Sequence, residues 1–138
     1  MPQTPNSDTT TRNIRVQAAA KYAPEESDPR RQLHTFVYRI RITNDGDSKV
    51  QLLSRHWIIL DSNNRREEVV GDGVIGKQPE LGPGEMHEYT SYCPLRTEWG
   101  TMEGTYTFRD ENDDLFEAAI GHFFWVPTPD GASVSDAT

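Results

Sequence analysis

Apolar and polar residues alternate along most of this chain, and that period of two restricts its fold more than any other feature. Ile14, Val16, Ala18 and Ala20 fall on one side of an extended segment, opposite Arg15, Gln17 and Lys21. Phe36, Tyr38, Ile40 and Ile42 repeat the pattern against Thr35, Arg39, Arg41 and Thr43. Successive side chains of a strand point to opposite faces, so each run makes a ribbon with one oily side. Asn44-Asp45-Gly46-Asp47 and Asp61-Ser62-Asn63-Asn64 are turn signals flanking Val50 to Leu60, the longest apolar stretch. Further strands are expected over Met86 to Tyr92, over Thr105 to Phe108, and from Leu115 to about Val126.

No segment carries a 3.6-residue apolar stripe. Ala18-Ala19-Ala20-Lys21-Tyr22 has helical propensity, but Pro24 stops it and the alternation before it favours strand. Short strands separated by turns must bury their oily sides against a second sheet. The expected fold is all-β: an antiparallel β-sandwich, immunoglobulin- or fibronectin type III-like, with about seven to eight strands. The single cysteine, Cys93, excludes the disulfide-bearing antibody variety.

At 138 residues one domain is expected. It would occupy residues 13–127, because residues 1–12 and 128–138 have no apolar surface to offset the entropy of ordering. Both ends are therefore expected as disordered tails. Asp plus Glu number 22 against 14 Lys plus Arg, a formal net charge of −8. That sign repels nucleic acid and anionic membrane at long range, so neither is an expected partner. No apolar run reaches the roughly 18 residues of a membrane helix, and no apolar secretory segment opens the chain. A lone cysteine fits a reducing compartment, so the expected location is cytoplasmic.

Gly71-Asp72-Gly73-Val74-Ile75-Gly76 spells a dinucleotide-binding signature in unsuitable surroundings. A phosphate-cradling loop needs a strand before it and a helix opening after it. Glu67 to Val70 could supply the strand, but Lys77-Gln78-Pro79-Glu80-Leu81-Gly82-Pro83-Gly84 cannot open a helix. The glycines are expected to be loop punctuation between strands. Their functional alternative is a nest of N–H groups around Gly71, Gly73 and Gly76, with Lys77 nearby, that takes an anion.

Four blocks then coincide in order with one family. Gln51-Leu52-Leu53-Ser54-Arg55-His56-Trp57-Ile58-Ile59, Gly71 to Leu81, Pro83 to Ser91 and Gly100-Thr101-Met102-Glu103-Gly104-Thr105-Tyr106 resemble signature blocks of the ApaG family. Tyr22 to Pro29 resembles the loop before its second strand. The resemblance covers residues 13–127, with departures at Tyr92, Trp99 and the aromatic Phe123-Phe124-Trp125. It implies a fibronectin-III-like sandwich, alone in bacteria and serving protein contacts as a module in larger eukaryotic proteins. It also implies an association with cobalt and magnesium resistance and with diadenosine-polyphosphate metabolism, but no enzymatic activity.

Other chemistry is thinly represented. His34, His56, His87 and His122 have no His-x-His or His-x₃-His spacing, so no metal site is expected. Asp110 to Asp114 lacks the spacing of a calcium loop and is expected as a solvated hairpin turn. Cys93 and the serines show no nucleophile motif, so no catalytic residue, cofactor or enzyme is expected. In a strand, Arg55 and Trp57 share one face and His56 takes the other; Trp57 is expected in the core. Leu53, Trp57 and Ile59 then form one apolar set, Ile58 and Leu60 a second, as though this strand were covered on both faces. The expected function is recognition of an unidentified protein partner through Arg55, the Gly71–Lys77 loop, Trp99 and Trp125, with a homodimer as one arrangement. A sensor for a nucleotide polyphosphate or a divalent cation is the alternative.

Overall fold

A computed structural model describes residues 7–125. Residues 1–6 and 126–138, the latter holding the expected C-terminal tail, lie outside the described residues, as do the side chains of Phe124 and Trp125.

Nine strands run in the order β1 (Ser7–Thr11), β2 (Ile14–Tyr22), β3 (His34–Asn44), β4 (Val50–Asp61), β5 (Arg66–Asp72), β6 (Glu80–Leu81), β7 (Met86–Leu95), β8 (Gly100–Arg109) and β9 (Leu115–Trp125). They form two antiparallel sheets, β1-β2-β3-β7 and β5-β4-β8-β9, with β6 also paired to β4. The all-β sandwich read from the alternation is the observed fold. After β2 the chain passes Pro24 and makes only two short 3₁₀ turns, Pro24–Glu26 and Pro29–Arg31.

The oily faces meet as the alternation requires. Ile14, Val16, Ala18 and Ala20 join Phe36, Tyr38, Ile40 and Ile42 from the first sheet. Trp57, Ile59, Met102, Tyr106, Phe108, Ile120 and Phe123 face them from the second. Each large side chain removed from water in this way contributes roughly 1.5–3 kcal/mol before entropy is subtracted.

Two expectations need correction. Ser7–Thr11 was expected in the disordered N-terminal tail; it instead pairs with β2 along its whole length. Its threonines suit an extended backbone, and Asp8 takes two hydrogen bonds from the Arg15 guanidinium at 2.9 and 2.6 Å. The second correction concerns β4, where the pairing with β8 slips between Leu52 and Ser54. This bulge switches the inward phase, so Val50 and Leu52 point inward before it and Trp57 and Ile59 after it. Leu53, Ile58 and Leu60 are only half-buried, so β4 is covered on one face rather than two.

The sandwich closes on one side only. Both β1 and β2 run close to β9, and the Ala119 amide donates to Thr11 Oγ1 at 3.2 Å. A side chain on Gly121 would strike Thr9 Oγ1 at 2.5 Å, so glycine lets these strands approach. The opposite edges, β5 and β7, do not close on each other in this way.

Candidate functional site

A cleft of about 320 Å³ opens where β5 and β7 stand apart. Trp57, Ile59 and Met102 form its floor; Val69, Val74 and Ile75 make one wall, and Tyr89, Ser91, Tyr92 and Cys93 the other. Its rim is apolar and open to solvent, with Tyr92 and Ile75 each 57% exposed.

Arg55 sits at one end of the cleft. Its place on the inward face beside Trp57 follows from the alternation beyond the bulge. Arg55 Nη1 donates to the carbonyls of Asp72 and Gly73 at 3.1 and 2.9 Å. The guanidinium lies directly under Gly71, where a Cβ would be 2.9 Å from both terminal nitrogens. One cation thus fastens the glycine loop to β4.

The loop is an excursion of an interrupted edge strand. Both β5 and β6 pair with β4, and the loop leaves the sheet opposite the β4 bulge. Leu53, at that bulge, accepts hydrogen bonds from the Gly73 amide at 2.7 Å and from Gln78 Nε2 at 2.9 Å. Val74 and Lys77 exchange two backbone bonds around Ile75 and Gly76, whose φ values of 49° and 72° are those of a two-residue hairpin turn. Gly73 has φ 62°, and a Cβ on it would lie 2.1 Å from the Lys77 carbonyl oxygen. The expectation of turn chemistry holds, and no helix follows.

This geometry bears directly on anion binding. The amides of Gly73, Val74 and Lys77 already donate to Leu53, Lys77 and Val74. The carbonyls of Asp72 and Gly73 turn towards a cation instead. Of the expected nest of Gly71, Gly73 and Gly76, the Gly73 amide is therefore already committed to Leu53.

Burial governs the ionisable groups in the cleft. It raises the pKa of Tyr38, which hydrogen-bonds Ser91, and those of Tyr89 and Tyr106. The hydroxyls of Tyr89 and Tyr106 hydrogen-bond each other. Burial also pushes the Cys93 thiol up to about 12, with Glu67 adding to the shift. The wall is therefore uncharged at neutral pH. Trp57 packs edge-on against Tyr38, Tyr106 and Phe123, and its buried Nε1 has no acceptor among the described residues.

The residues singled out in the sequence are only partly brought together. Arg55 and the loop from Gly71 to Lys77 share one end of the cleft. Trp99, 45% exposed, precedes β8 near Asp61, about 20 Å along β4 from Arg55. The backbone of Trp125 pairs with Gly100 at that far end, while its side chain lies outside the described residues. Sequence reasoning missed Tyr89 and Ser91, although alternation along β7 already put them on one face with Cys93.

Comparison with known proteins agrees with the fold. The family model described as the ApaG domain matches residues 24–110, which include β3 to β8. A Protein ApaG from Anaeromyxobacter dehalogenans (strain 2CP-C) is 50% identical over 113 residues, covering 82% of this chain and 89% of the relative. Another, from Methylobacterium sp. (strain 4-46), is 52% identical over 113 residues, covering 82% and 87%. The crystal structure of an ApaA protein from Bordetella pertussis superposes with a TM-score of 0.82 at 45% identity, covering 93% of this chain and 99% of that one. The C-terminal domain of wzt, at 6% identity and a TM-score of 0.52, covers 88% of this chain and 77% of its own, and shares the fold alone. A family match across most of the strands, with relatives half identical over four-fifths of the sequence, means that the chain belongs to the ApaG family.

Proposed function

We propose that this chain is a non-catalytic binding module that takes an extended segment of a partner protein along the cleft, adding it as a further strand beside β5. The supporting observation is the unclosed side of the sandwich. There two sheet edges flank an apolar floor, and an edge strand offers backbone groups that a new strand can pair with. Of the two edges, β7 carries Pro94, which has no N–H to give, whereas β5 has no proline. Ile75 and Tyr92 at the rim, and Val70 on the outer face of β5, would supply apolar contacts on the two sides of the added strand. The uncharged thiol and phenols of the wall suit binding better than nucleophilic attack.

Selection of a heptapeptide display library on the immobilised chain tests this reading. The native chain should enrich extended, β-branched peptides, and Val70→Lys should abolish the enrichment while circular dichroism shows the sheet intact. Absence of enrichment, or equal enrichment on both proteins, would reject the function.

A further inference from the structure

The cleft continues into a second hollow of about 390 Å³ at the end away from Arg55. Ile59, Glu67 and Pro94 line both, so the two form one groove. Arg65, Arg66 and Arg96 converge on this second hollow. Arg65 belongs to the β4–β5 turn, Arg66 opens β5, and Arg96 follows β7. The two connections are tied together, because the Ser62 amide donates to Thr97 Oγ1 at 3.1 Å.

The acids in this hollow leave its cations largely available. Asp61 is buried, and its Oδ1 accepts the backbone amides of Asn63 and Arg65 at 2.8 and 2.9 Å. Arg66 shares its charge with Glu68 at 3.1 Å. Among the described residues neither Arg65 nor Arg96 has an ion-pair partner. Two unpaired guanidiniums on one rim run against a net charge of −8. Glu67 lies at the junction with the apolar cleft, so an incoming acid is kept to the side of the groove nearest Arg65 and Arg96.

From this charge arrangement, and resting on strand addition beside β5, we infer that the groove selects a peptide with an apolar extended body and an acidic end, whose carboxylates dock on Arg65 and Arg96. Guanidinium forks match carboxylates in shape as well as charge, which makes such an end a selective element. The apolar body would lie over Trp57, Ile59 and Val69, towards Arg55.

The test uses the full ¹⁵N-labelled chain and two acetylated peptides, Val-Thr-Val-Thr-Val-Glu-Glu and its Gln-Gln counterpart. The glutamate peptide should bind about tenfold more tightly, with shifts in the side-chain Nε–H signals of Arg65 and Arg96. In Arg65→Gln/Arg96→Gln that preference should fall below about twofold, with binding of the glutamine peptide unchanged. Equal affinities, accompanied by shifts along β5, would overturn the acid preference and leave strand addition standing. Arginine shifts without β5 shifts would uphold the acid site and overturn strand addition; binding of neither peptide would overturn both. Inorganic phosphate that reproduces the arginine shifts and displaces the glutamate peptide would replace the peptide with a small anion. Shifts at Arg65 and Arg96 that depend on protein concentration alone would replace it with a second copy of the chain.

Discussion

Gly73 and Gly76 stand three residues apart with similar positive φ, yet their surroundings make them unequal. At Gly76 a Cβ meets nothing within 4 Å, so Gly76→Ala carries only the left-handed backbone cost of about 1–2 kcal/mol. At Gly73 the same cost is joined by a clash at 2.1 Å with the Lys77 carbonyl, a backbone atom that cannot swing away. Gly73→Ala should therefore lower stability by more than about 2 kcal/mol and exceed Gly76→Ala, as urea midpoints of the two variants will show. Cys93 gives a second prediction at this scale. Burial raises its pKa to about 12 in the fold from an ordinary thiol value of 9.0, so the unfolded chain ionises first as pH rises. The thiol's contribution to stability is complete below pH 9 and is lost as pH climbs towards 12. Tyr89 and Tyr106 shift in the same direction, so the urea midpoint should fall between pH 9 and pH 11. At pH 8 a disulfide reagent should label Cys93 only after denaturation.

At the scale of the strand, β1 shows how a segment without apolar residues still becomes structure. It contributes backbone pairing to β2 and one charge-assisted contact, Asp8 with Arg15. The hydrogen bond from Arg15 lowers the Asp8 pKa, so its support is present above the ordinary carboxylate value of 3.8 and fades as pH falls through the lowered one. Asp8→Asn should speed amide exchange at residues 7–11 and leave β3 unaffected; unchanged exchange would show that backbone pairing alone holds the strand. The same contrast explains what the sequence disclosed. Strands β2 and β3 were legible because their apolar residues keep one phase from end to end. The phase of β4 was not, because the bulge at Leu53 changes it within an apolar run. The glycine segment was legible as a turn, since Pro79, Gly82 and Pro83 deny it a helix. Tyr89 meets Tyr106 and Arg65 approaches Arg96 only through pairings between distant segments, such as β3 with β7, which no local pattern reveals.

Across the whole molecule the two sides of the sandwich differ in closure, and amide exchange can read that difference. Central strands β3, β4 and β8 are paired on both edges and should exchange only through global unfolding. Strand β9 pairs with β8 and is also flanked by β1, so its amides should approach the protection of the centre. Strand β5 has β4 on one edge, solvent on the other, and a mostly exposed set of side chains. Its amides should exchange at least about a hundredfold faster than those of β4 in the free chain, corresponding to roughly 3 kcal/mol less local stability. Binding of an extended peptide should remove most of that gap and leave β9 as it was. If β5 is already as protected as β4 without peptide, its outer edge is occupied in solution. Sedimentation would then separate the two sources: a mass of two chains means that a second copy supplies the strand, whereas a single-chain mass means that the cleft is closed from within.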